Sequence, residues 1–102
     1  MTRDKIIRDA EIKINHARIM QSDTRKNLTK WIEERYFFGS SLEVIGKHMH
    51  EAEIEIIVAC KTVIAAKENK ECDAGMYCGW ALASIDHAKS ELASANLVMI
   101  ED

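Results

Sequence analysis

In LEVIGKHMHEAEIEIIVACKTVIAA, residues 42–66, every third or fourth position is apolar: Leu42, Ile45, Met49, Ala52, Ile56, Ala59, Val63 and Ala66. An alternation of three and four follows the helical turn and gathers all of these side chains on one stripe. The same segment carries a second stripe, Ile54, Ile57, Lys61 and Ile64, with Val58 beside it. A surface helix needs one apolar face only. Two faces mark this helix as the central element, touching at least two neighbours along residues 54–66. Ile54, Ile57, Val58 and Ile64 are therefore the candidate oligomer interface.

Two punctuation marks flank the stretch. Before it stands Gly39-Ser40-Ser41, where glycine suits a left-handed helix stop and Ser40 with Glu43 spells a capping box. After it comes the polar run from Glu68 to Asp73, with Asn69 as a helix stop and Asp73 as the next N-cap. Upstream, Ile7, Ala10, Ile14, Ala17, Gln21, Thr24, Leu28, Trp31, Arg35 and Phe38 keep the same alternation. The polar members interrupt this seam without shifting its phase, so one long helix over 3–38 is expected, roughly 54 Å at 1.5 Å per residue. The competing reading breaks it near 21–23, at Ser22-Asp23, and gives four helices. Downstream, Cys78, Ala81, Ile85, Ala88, Leu92, Ala95 and Met99 form a third seam, predicting a helix over 74–98. Gly75 and Gly79 open it, as a tight crossing or as a frayed first turn.

Short connections make successive helices antiparallel. The sequence thus predicts an all-α fold, an antiparallel three-helix bundle with coiled-coil-like packing, as a single helical domain over 1–102. Composition agrees: 47% of the 102 residues are apolar, 30% are charged, and proline is absent, so nothing interrupts long helices. Helices of these unequal lengths would not cover one another end to end, which suggests a homodimer.

The beginning of the chain, MTRDKIIRDA, lacks the apolar core of a secretory signal, and the longest apolar run, Ile56 to Cys60, is far too short to span a bilayer. Three cysteines leave one unpaired in any intramolecular scheme, so reduced thiols and a cytoplasmic location are expected.

Chemistry is hard to find. No His pair sits at i, i+4, and neither Glu-x-x-His nor Cys-x-x-Cys occurs. His48, Glu51 and Glu55 share a face, but a solvated polar face explains them as well. Cys60 and Cys78 lie at seams, where thiols are usually inert packing groups. Cys72 and Asp86-His87 lack the companions a catalytic set requires. No catalytic residue, cofactor or metal is expected.

Charge is uneven. Residues 1–38 carry nine Lys and Arg against six Asp and Glu, a balance of +3, and the remainder balances at −6. Arg18, Arg25, Lys26 and Lys30 cluster ahead of Trp31, a pattern able to meet phosphates. Pairing with acidic neighbouring helices explains it more simply, and the net charge of −3 opposes nucleic acid. Tyr36, Phe37 and Phe38 are consecutive, and with roughly 100° per helical residue they cannot all face one core. Large aromatics near a surface are favoured interface anchors; the alternative is that they close the end of the bundle. The expectation is a small non-enzymatic regulator of another protein, an inhibitor, antirepressor or adaptor of the kind phages and mobile elements encode. Trp31, Tyr36 and Phe37 would anchor the partner, and Arg25, Lys26 and Lys30 would supply charge. Nucleic-acid association through the basic helix is the alternative, and a metal- or cysteine-dependent enzyme the remote one.

Overall fold

A computed structural model describes residues 2–101. The described residues form three helices: α1 (Arg3–Glu33), α2 (Ser41–Glu68) and α3 (Ala74–Glu101). They lie side by side in a rod of 55 × 18 × 17 Å. Cross-helix pairs set the directions. Lys67 reaches Glu11, and Gln21 reaches Glu53, so α1 and α2 run antiparallel. His87 meets Glu55 and His48 meets Glu91, so α2 and α3 are antiparallel too.

α1 starts at Thr2, whose hydroxyl accepts the Lys5 amide. It runs without a break through 21–23, where the Thr24 hydroxyl donates to the Met20 carbonyl. Its end, however, falls at Glu33 and not at Phe38. Arg35 and Phe38 fit the helical phase, yet the chain turns back after Trp31 so that Phe38 packs on that indole, ring centroids 5.5 Å apart. Gly39, at φ +56°, completes the reversal in a conformation other residues avoid. The expected capping box at Ser40 does not form. Ser40 has helix-like dihedrals, φ −88° and ψ −6°, and its hydroxyl caps nothing.

The second turn follows expectation. Asn69 ends α2, its amide donating to Ala65 O, and Asp73 Oδ1 accepts from the Met76 amide to open α3. α3 continues three residues past its predicted end. With helices of 31, 28 and 28 residues, the expected length mismatch is largely gone, and with it that ground for a dimer.

The core is built from alternating large and small layers. Ala10 and Ala17 of α1, Ala52, Ala59 and Ala66 of α2, and Ala81, Ala88 and Ala95 of α3 are all fully buried. They alternate along each seam with Ile7, Ile14, Ile56, Val63, Ile85 and Leu92. A methyl on one helix leaves room for a larger partner, which lets the axes approach closely. α2 and α3 form the most intimate pair, and α1 leans more on α3 than on α2. The glycines do not make this approach: a Cβ at Gly79 would meet nothing, and one at Gly75 only the capping Asp73 carboxylate.

A polar layer divides the core. Gln21 and Thr24 are buried, at 8% and 1% exposure. Gln21 donates to the Glu53 carboxylate, and Asn96 Nδ2 donates to Thr24 Oγ1 at 3.0 Å. Beyond this layer a second apolar cluster gathers Trp31, Ile45, Ala95 and Met99, with Leu28, Phe38 and Leu42 against it.

Candidate interaction site

The chain reversal between α1 and α2 brings the most exposed aromatic side chains to one end of the rod. Residues on either side are pinned. Arg35 lays its guanidinium over the Trp31 ring, 4.4 Å from the centroid, and donates to the Trp31 carbonyl at 3.3 Å. Phe38 packs into the terminal cluster. Between them Tyr36 and Phe37 face solvent, at 107% and 84% exposure. A shallow cleft of about 400 Å³ beside them is lined by Arg35, Phe37, Phe38, Gly39, Ser40 and Ser41. The tip thus offers two aromatic rings on a short, anchored loop, which limits the ordering cost of engaging them.

Trp31 does not join them. It is 4% exposed, and its indole Nε1 is buried without an acceptor, so it serves as the plug of the terminal cluster. The basic residues also diverge. Arg25 points toward α2 and pairs with Glu53 at 3.4 Å, while Lys30 reaches Glu34 at 4.0 Å along its own helix. Lys26 alone of the three makes no ion pair among the described residues.

Along its outer face, α2 shows Ile54, Ile57, Val58 and Ile64 at 40–51% exposure. The second stripe does not pack on a neighbouring helix as expected: α1 and α3 leave it open, and α3, not α2, is the helix on which both others lean most. Other exposed apolar groups were not singled out beforehand. Trp80, exposed, stacks on the half-buried Tyr77 with centroids 5.5 Å apart at the start of α3, and Ile12, Ile19, Leu97 and Ile100 are also exposed. For the aromatic pair, their i, i+3 spacing was the available signal.

Titratable groups gather along the α2–α3 seam. His48 Nδ1 lies 2.6 Å from one Glu91 oxygen, and His87 Nε2 lies 3.2 Å from the other. His87 Nδ1 is 3.5 Å from Glu55. The hydrogen bond from His48 holds the Glu91 carboxyl below the usual carboxylate range. Glu51, grouped with His48 and Glu55 by sequence, stays outside this chain of pairs; His87 and Glu91, at i, i+4 on α3, complete it instead. These side chains are committed to one another, and no group of three metal-ligating residues is arranged around a common point among the described residues.

The thiols are separate. Arg18 Nη2 is 2.9 Å from Cys60 Sγ beside a groove between α1 and α2, and this contact raises the guanidinium pKa further. Cys78 is buried, which pushes its thiol up and disfavours the reactive thiolate. Cys72 lies by Arg3, whose guanidinium donates to the carbonyls of Cys72, Ala66 and Asn69 and so closes the C-terminal end of α2.

No helix among the described residues is long and apolar enough to cross a membrane. Comparison with known proteins finds no matching family model, no matching curated protein and no matching solved structure.

Proposed function

We propose that this chain is a non-enzymatic protein that binds and regulates another protein, as an inhibitor, antirepressor or adaptor does. The observation that carries the reading is the pair Tyr36–Phe37, fully presented at the end of the rod on a loop pinned by Arg35 and Phe38. Aromatic side chains on a pinned loop have few rotatable bonds to order on binding and bury much area, which suits them as anchors. Lys26 on α1 adds positive charge, while Arg25 and Lys30 are partly neutralised by their own chain. That partial neutralisation ranks nucleic-acid association second. A cytoplasmic setting belongs to the same reading, and three free thiols favour it.

Affinity capture from lysate of the source cells, with wild type beside Tyr36→Ala/Phe37→Ala, tests the proposal. Wild type retains a stoichiometric protein and the double variant loses it, with helical circular dichroism unchanged. Retention of the same protein by the variant, or capture of nucleic acid that salt displaces, overturns it.

A further inference from the structure

We propose that α2 carries a self-complementary strip through which two copies of this chain associate, antiparallel, about a two-fold axis level with Ile56. This goes beyond the binding role of the Tyr36–Phe37 tip and uses none of its residues. On the outer face of α2 the successive positions Ile54, Ile57, Val58, Lys61 and Ile64 hold one charge among four exposed β-branched apolar groups. The outer face of α1 over a comparable length reads Ile12, Asn15, His16, Ile19, Ser22 and Asp23, the polar dressing expected of a solvated helix. An apolar strip of this kind marks an interaction surface.

Charge identifies the occupant as a second copy. Glu51 precedes the strip and Lys61 lies within it, both exposed, and neither belongs to any ion pair among the described residues. They stand five residues to either side of Ile56. A two-fold axis at that level lays Ile54 against the partner copy's Val58 and Glu51 against the partner copy's Lys61, and symmetry makes each pairing twice. In the same register Ile57 stands one residue from the axis, so the Ile57 side chains of the two copies lie two residue levels apart, about 3 Å along the helix. An unrelated protein would need no such symmetry in the strip. The contact is small, so association is weak and reversible.

Sedimentation velocity across about 5–300 µM reads the state directly. Wild type shifts from monomer to dimer with concentration, and Val58→Lys, at an exposed position, stays monomeric with unchanged helicity. Glu51→Lys and Lys61→Glu each weaken the dimer by about tenfold, because each replaces two opposite-charge contacts by like-charge ones. The double variant Glu51→Lys/Lys61→Glu restores association to within about threefold of wild type. A wild type that remains monomeric throughout overturns the proposal. So does a dimer that ignores Val58→Lys, or one whose double variant fares no better than the single ones.

Discussion

Below the Gln21–Thr24 layer the three helices meet through alanines, whereas above it they close around the indole of Trp31. In the first region each buried methyl is small and stability comes from many close contacts shared among all three helices. In the second, the indole of Trp31 is the largest buried group, packed with Ile45, Ala95 and Met99. The same helical period supports both plans, since it fixes which positions face inward but not what volume they supply. The regions should therefore respond oppositely to substitution: the terminal cluster to loss of bulk, the alanine shaft to its addition.

Trp31→Ala is expected to have the largest effect, about 3–5 kcal/mol of unfolding free energy in a denaturant titration. Hydrogen exchange sharpens the comparison. Amides around Ile45 and Ala95 lose protection, whereas those around Ala59 and Ala81 keep theirs. Uniform loss along the rod would show that the two clusters open as one unit.

Next comes Ala59→Leu, which overfills the shaft and is expected to cost about 1–3 kcal/mol. Its counterpart at the other end, Met99→Leu, conserves volume and should cost less than about 1.5 kcal/mol. If the shaft accepts leucine as readily as the end accepts its exchange, alanine is not setting the helix spacing. Thr24→Val tests the boundary between the regions. It removes the acceptor for Asn96 Nδ2 and the donor to Met20 O, and about 1 kcal/mol is expected by thermal or chemical unfolding.

The smallest effect concerns pH. Glu91 titrates below its unfolded value, so the stability it contributes is present above the unfolded carboxylate pKa and lost as pH falls through the folded one. His48→Gln weakens the cause of that shift. The acid limb of a stability-versus-pH curve should then move toward higher pH, and direct titration of Glu91 by NMR should show its pKa rise. An unmoved Glu91 would mean that His87 suffices to hold the carboxylate.

Much of this was legible in the chain because burial follows a period that needs no knowledge of neighbours. The seams named Ala52, Ile56, Ala59, Val63, Cys78, Ile85 and Leu92, and all are buried. Trp31 is instructive: its seam position implied burial, and only its aromatic character suggested an anchor. Position outweighed residue type. The end of α1 was not legible, since Arg35 and Phe38 continue the phase; only the stacking of Phe38 on Trp31 shows why the chain turns earlier. Likewise the partnership of His48 with Glu91 depends on the register of α2 against α3, which neither segment encodes alone. For the exposed tip, sequence could say that three consecutive aromatics cannot share a core, but not that Phe38 would be the one taken inside.

The latch formed by Arg3 bears on the order of events during synthesis. Its acceptors include the Cys72 carbonyl, 69 residues further along the chain. At about 5–20 residues per second, several seconds separate the appearance of the two groups from the ribosome. For most of that interval the guanidinium lacks all three of its carbonyl acceptors, and throughout it α1 lacks α3, the helix it leans on most. Of the three helices α1 thus waits longest for its place, since the turn at residues 69–73 that receives Arg3 follows all of α2.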